Sequence, residues 1–219
     1  MNVFKLIIFD LDGVLWISND AHVEVCMKAL DAAGIRAKID PKALTYFFGL
    51  PYREVLTAVM GDEYTPEKLE AAFIEQQKLI YSDSFFDKVE EIDGVKELLA
   101  EFKDRGIKLA VASGNERAFL DKAIEYLKLS SVFDVVVSAD DVACSKPDPE
   151  MLQKAMSAVK VKPNQTLFVG DARNDVLAAK KAKVTSAIVL TGVLSAVDAE
   201  ELGPDFILDS VLDVEFLLR

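Results

Sequence analysis

Five short runs of β-branched and apolar residues recur along the chain, each stopped by a polar or glycine-containing turn: KLIIF (5–9), KLAVAS (108–113), FDVVVS (133–138), TLFVG (166–170) and SAIVL (186–190). DFILDS (205–210) is a candidate sixth. Segments of helical period separate the later runs: GVKELLAEFKDRG (94–106), ERAFLDKAIEYLKL (116–129) and DPEMLQKAMSAVK (148–160). Strands alternating with helices are joined by right-handed crossovers into a parallel sheet. Strands that are apolar almost throughout belong to a sheet covered on both faces. The expected class is therefore α/β, with a Rossmann-like parallel core.

The alternation breaks once. After the first run no convincing strand follows until about residue 108, and the interval carries helical patterns instead. These cover roughly 20–33, closed by Gly34; 41–47, after Pro41; 51–60, with Pro51 near its start; and 66–82, with Pro66 near its start. Proline at helix starts and glycine past helix ends is the expected punctuation. The simplest account is an all-helical domain inserted after strand one, at 16–88, with the core at 1–15 and 89–219. The hinges fall near 14–19 and 83–90.

Composition narrows the function. The 51% hydrophobic, 28% charged chain has the profile of a soluble globular protein with a real core, and no apolar run approaches the length of a membrane span. The start reads as a first strand, not a signal peptide. Two distant cysteines, Cys26 and Cys144, make neither a disulfide framework nor a CxxC motif, which suits a reducing cytoplasm. A single histidine leaves a zinc site or a Ser-His-Asp triad without material. With 25 basic against 37 acidic residues the net charge is −12, which argues against nucleic acid as a partner. A small phosphorylated metabolite remains open, because a few local donors can hold it.

In open parallel sheets ligands bind beyond the carboxyl ends of the strands. Strand one ends at Asp10-Leu11-Asp12-Gly13, placing two carboxylates where continued strand pairing would force them onto one side. The next strand ends at Ser113-Gly114-Asn115, the third leads to Lys146 before Pro147, and the fourth ends at GDARND with Asp171 and Asp175. Gathered on one edge, these groups suit phosphoryl transfer. Carboxylates from two strand ends suit Mg²⁺, a hard cation that wants oxygen ligands. Asp10 can attack phosphorus and form an aspartyl phosphate. The Ser113 hydroxyl and the N–H groups of Gly114 and Asn115 can hold phosphate oxygens. Lys146 supplies a compact positive charge, and Asp12 is left to move protons. On its own, Ser113 reads as a helix N-cap before a ligand; Gly114-Asn115 behind it favours the phosphate role, and both can coexist.

With these residues in this order, the chain resembles the haloacid dehalogenase superfamily. DLDGVL resembles its first motif, Ser113 its second, Lys146 of SKPDP its third and GDARND its fourth. The helical insert resembles the cap of the phosphoglycolate-phosphatase and β-phosphoglucomutase branch. The resemblance implies Asp10 as nucleophile, Asp12 as general acid and base, and magnesium held by Asp10, the Asp12 carbonyl and Asp171, with Asp175 helping directly or through water. True dehalogenases lack the second acid, so Asp12 favours phosphate-ester chemistry. The implied activity is hydrolysis of a small phosphate monoester. A phosphomutase on the same machinery, or a non-hydrolytic phosphate-binding switch, are the alternatives.

Within the insert, His22 and Arg53 resemble cap positions that reach substrate in relatives; a satisfied polar histidine and a surface arginine are the plain alternatives. Trp16 reads as hinge packing or entrance lining. Two departures stand out: LWISN, where relatives place a polar Asp-Ser pair after the leucine, and Lys183, where relatives commonly have glycine.

Overall fold

The computed structural model describes residues 4–218, apart from the side chain at position 42. Residues 1–3 and 219, assigned above to the core, lie outside the described residues. The strands in chain order are β1 (Leu6–Phe9), β2 (Trp16–Ile17), β3 (Glu90–Glu91), β4 (Lys108–Ala112), β5 (Val135–Val137), β6 (Thr166–Gly170), β7 (Thr185–Val189) and β8 (Phe206–Leu208). Six of them form one sheet in the order β5-β4-β1-β6-β7-β8, and its pairings are parallel. The chain is thus α/β with a parallel sheet, and DFILDS does supply the sixth strand.

β1 sits between β4 and β6, with Leu6 in register with Lys108 on one side and Thr166 on the other. All its residues are buried, which is why its sequence lacks alternation. Leu6 and Ile8 pack with Phe168 against Met151 and Leu152 of one helix and Ala178 and Ala179 of another. Ile7 and Phe9, pointing to the opposite face, are equally enclosed. The helices of this part are α5 (Val95–Asp104), α6 (Arg117–Tyr126), α7 (Glu150–Val159), α8 (Arg173–Ala182) and α9 (Ala196–Leu202), numbered after four earlier ones.

The described residues divide into two compact units: one runs to Ile17 and resumes at Glu91, the other is Ser18–Glu90. The second holds α1 (Asn19–Ala32), α2 (Tyr52–Met60), α3 (Pro66–Ile80) and α4 (Asp83–Phe86). It has its own core, in which Cys26, Ala29 and Leu30 meet Leu44, Leu56, Met60 and Ala72. α3 starts where the sequence says it should: Thr65 accepts the Lys68 N–H at 3.2 Å and Pro66 takes the first helical position.

Three local readings are corrected. Pro41–Phe47 is a 3₁₀ helix, the tighter turn used in short connecting pieces, and the chain breaks after it at Gly49 and Pro51. The helix expected to 82 stops at Ile80, and Asp83–Phe86 forms a separate turn. The two-residue strands β2 and β3 carry no periodic signal at that length. Among the described residues no helix is long and apolar enough to cross a membrane.

Candidate active site

The ends of β1, β4 and β6, and the loop carrying Lys146, supply the residues singled out above. Lys146 Nζ lies 2.7 Å from Asp10 Oδ2 and 2.8 Å from Asp175 Oδ1, and all three side chains are buried. Asp10 Oδ1 accepts the Leu11 N–H at 2.8 Å. Asp175 is fixed by the turn it closes: its Oδ2 accepts the N–H groups of Asp171 (3.1 Å) and Ala172 (3.0 Å), so it caps the start of α8 from inside the first turn. Its Oδ1 contacts the ammonium but receives no aligned hydrogen bond. Asp10, Asp171 and Asp175 bring ligand oxygens within 4.8 Å of one another.

Three buried carboxylates share this pocket of charge with one ammonium. The Asp10 carboxyl is pushed up to about 7: burial raises it most, Lys146 opposes the rise, and Asp175 and Asp12 add to it. Burial, then Asp175 and Asp10, drives Asp171 well above the ordinary carboxyl range. Burial works against the charge on Lys146, yet the pull of Asp10 and Asp175 outweighs it and the net shift is upward. The surplus negative charge, and the Asp175 oxygen lacking an aligned donor, fit a hard divalent cation bound by Asp10, Asp171 and Asp175.

Asp12 belongs to a different set. Its Oδ2 accepts from Asn115 Nδ2 at 2.6 Å, and its Oδ1 accepts from the Trp16 indole N–H at 2.8 Å. Asn115 Nδ2 also lies 3.0 Å from Ser113 Oγ, and the Asn115 backbone N–H points to the same oxygen at 3.3 Å. Ser113 is buried, whereas Gly114 is exposed. His22 and Arg53 sit in the helical unit. His22 is enclosed by Phe48, Tyr52 and Phe85, with Nδ1 against the Tyr52 hydroxyl. Arg53 pairs with Glu70 at 2.9 Å and lies over the Phe73 ring.

Sequence reasoning missed a fifth strand end. After β7, the Thr191 hydroxyl donates to the Gly13 carbonyl at 2.6 Å, and the Val193 N–H donates to Asp171 Oδ2 at 3.0 Å. Gly13 has φ +70°, and a side chain there would strike both Asp171 and Gly192. Gly192 in turn lies so close to Asp171 that an added Cβ would overlap its carboxyl group. Glu150 was missed as well: its carboxylate accepts the N–H groups of Ala143 and Cys144, both at 3.0 Å, and so latches the loop that carries Lys146.

The model of the haloacid dehalogenase-like hydrolase family matches residues 7–189, and the chain belongs to that family. Pyrophosphatase PpaX of Halalkalibacterium halodurans is 30% identical over 216 residues, covering 95% of this chain and 94% of the relative. The crystal structure of a predicted phosphoglycolate phosphatase from Haemophilus somnus 129PT superposes with a TM-score of 0.89 at 22% identity, covering all of both chains (100% each). A hydrolase from Pseudomonas syringae superposes with a TM-score of 0.84 at 25% identity, covering 97% of this chain and 96% of that one. The chain is accordingly an enzyme, a hydrolase of the phosphatase class.

Proposed function

We propose that the protein hydrolyses a small phosphate ester through an aspartyl phosphate on Asp10, with the helical unit as the cap that carries selectivity. The observation that carries this reading is the contrast between two carboxylates two residues apart. Asp10 faces the ammonium of Lys146, whereas Asp12 is held by neutral N–H donors. The first is arranged as a nucleophile and the second as a proton carrier.

In the first step an Asp10 carboxylate oxygen attacks phosphorus. The bond from phosphorus to the leaving oxygen breaks, and protonated Asp12 gives that oxygen its proton. In the second step Asp12, now a carboxylate, takes a proton from water as the water oxygen attacks the phosphoryl group. The bond to Asp10 breaks and inorganic phosphate leaves. Lys146 opposes the rise that burial imposes on the Asp10 carboxyl, and Ser113 and Asn115 offer donors to the phosphoryl oxygens. Asp10, Asp171, Asp175 and the Asp12 carbonyl would hold Mg²⁺. The ion, when bound, neutralises charge on the phosphoryl oxygens and on the carboxylates around it. His22 and Arg53 both have partners inside the helical unit, and this mechanism gives neither a chemical role.

The test is phosphate release from pyrophosphate, alkyl phosphates and p-nitrophenyl phosphate, with Mg²⁺ or with chelator, for wild type, Asp10→Asn and Asp12→Asn. Pyrophosphate, an anhydride set beside the esters, is included because the 30% identical relative is named a pyrophosphatase. Metal-dependent release that disappears in Asp10→Asn is expected. Release that persists in Asp10→Asn would overturn the nucleophile, and phosphate migration without release would replace hydrolysis by a mutase reaction.

A further inference from the structure

Trp16 is the only tryptophan in the chain, and it is completely buried. Its ring packs at 6.2 Å from Phe119 and 6.3 Å from Tyr126, tilted against both, so α6 fixes its plane. That alone would be packing. The indole N–H, however, reaches back four residues to Asp12 Oδ1 at 2.8 Å, a hydrogen bond of full strength by its length. The other carboxylate oxygen, Oδ2, turns to Asn115, whose amide nitrogen also reaches Ser113.

We propose that Trp16 is a positioning residue for the proton shuttle: it holds Oδ1 of Asp12 on the buried side and leaves Oδ2, beside Asn115 and Ser113, to carry the proton to the leaving oxygen. The proposal rests on the acid and base role given to Asp12 above. The two partners of the carboxylate differ in what they permit. An indole N–H can only donate, so a proton on Oδ1 cannot face it. The Asn115 amide carries both a donor and an acceptor, so it accommodates Oδ2 with or without its proton. One rigid partner and one adaptable partner select a single oxygen of a symmetric group. The proton moves along one path, from Asp12 Oδ2 to the leaving oxygen as the bond from phosphorus breaks, and from water back to Oδ2 in the second step.

The experiment is leaving-group dependence, because a proton is needed by an alkoxide and scarcely by a p-nitrophenolate. The quantity is kcat/KM, which covers transfer of the phosphoryl group to Asp10 and excludes the later hydrolysis. Trp16→Phe removes the N–H. It should lower kcat/KM for an alkyl phosphate about tenfold, part of the roughly 10²–10⁴-fold that a general acid supplies, and change the p-nitrophenyl ester by less than about twofold. Should Trp16→Phe fail to fold, the sulfur analogue of tryptophan, benzothienylalanine, keeps the shape and deletes only the donor. Since no other tryptophan exists, it alters this one site. Equal losses on both esters, or no loss on either, would overturn the proposal. Asp12→Asn separates the two levels. If it selects against the alkyl ester while both Trp16 replacements do not, only Trp16 is wrong. If Asp12→Asn shows no such selectivity, the acid role of Asp12 falls and this proposal falls with it.

Discussion

Thr191 Oγ1 donates to the carbonyl of Gly13 at 2.6 Å, joining two loops 178 residues apart in the chain. The bond matters because of what lies between the loops. Asp171 is pressed against both Gly13 and Gly192 and takes the Val193 N–H, so the loop after β7 forms one wall of the acidic cluster. Without side chains at 13 and 192, backbone can close onto a carboxylate that would otherwise have room to turn away.

Gly192→Ala should therefore displace Asp171 and lower kcat/KM by about 100-fold or more, while circular dichroism stays native. Thr191→Val should be milder, costing about 1 kcal/mol in stability for one hydrogen bond, and Thr191→Ser should restore it. Full activity in Gly192→Ala would mean that Asp171 does not need its present position.

The acidic cluster sets an unusual pH dependence for the metal-free protein. The Asp10 carboxyl rises from 3.8 to about 7 on folding, so between those values the unfolded chain has released a proton that the folded chain still binds. Stability falls as pH rises through that window, and Asp171 adds in the same direction. Lys146 is shifted upward as well, so its contribution is intact here and is lost only at more alkaline pH. The lowered carboxyls, such as Glu24 and Asp134, contribute stability that is lost only in more acidic solution. Metal-free protein should thus melt lower at pH 7.5 than at pH 5, by roughly 5–10 °C. Mg²⁺ at pH 7.5 should recover much of this, and Asp10→Asn should flatten the slope. Differential scanning calorimetry with chelator decides it; a melting point that rises from pH 5 to 7.5 would mean the cluster carries no surplus charge.

Much of this was legible beforehand because parallel strands advertise themselves. LIIF and TLFVG are continuous apolar runs, and each is followed at once by the acids it positions, so the fold and Asp10, Asp12, Asp171 and Asp175 can be read together. What escaped has a physical reason in each case. Thr191-Gly192 is an unremarkable dipeptide whose importance comes from proximity to residue 13, a contact with no local signature. The hydrogen bond of Trp16 was open to inference, since a buried indole needs an acceptor and Asp12 stands four residues away; reading it as hinge packing or entrance lining left its N–H without a partner. Pro41–Phe47 has helical composition, and composition does not separate a 3₁₀ turn from an α-helical one.

Glu150 illustrates how a charged, half-buried residue can serve the site indirectly. Its carboxylate takes the Ala143 and Cys144 N–H groups, and these same bonds hold it below the usual carboxyl range. They tether the loop two residues before Lys146. Glu150→Ala should release that loop and lower kcat about tenfold with little change in melting temperature, whereas Glu150→Gln should retain most of the rate because one acceptor remains. Unchanged kcat in Glu150→Ala would show that Lys146 is placed by its ion pairs with Asp10 and Asp175 alone.

Lys183 offers a stabilising change. It follows α8 with φ +59°, in the left-handed region, and its side chain is exposed. The Lys183 N–H still donates to the Lys180 carbonyl, so the helix closes correctly, but a Cβ in this conformation costs about 1–2 kcal/mol. Glycine removes that cost and gives back about 0.5–1 kcal/mol through the greater freedom of the unfolded chain. Lys183→Gly should therefore raise the melting temperature by about 2 °C with kcat and KM unchanged, since the residue lies outside the acidic cluster. Lys183→Ala, which keeps the Cβ, should leave the melting temperature where it is. A loss of stability in Lys183→Gly would mean that the lysine side chain contributes more at the end of α8 than its backbone costs.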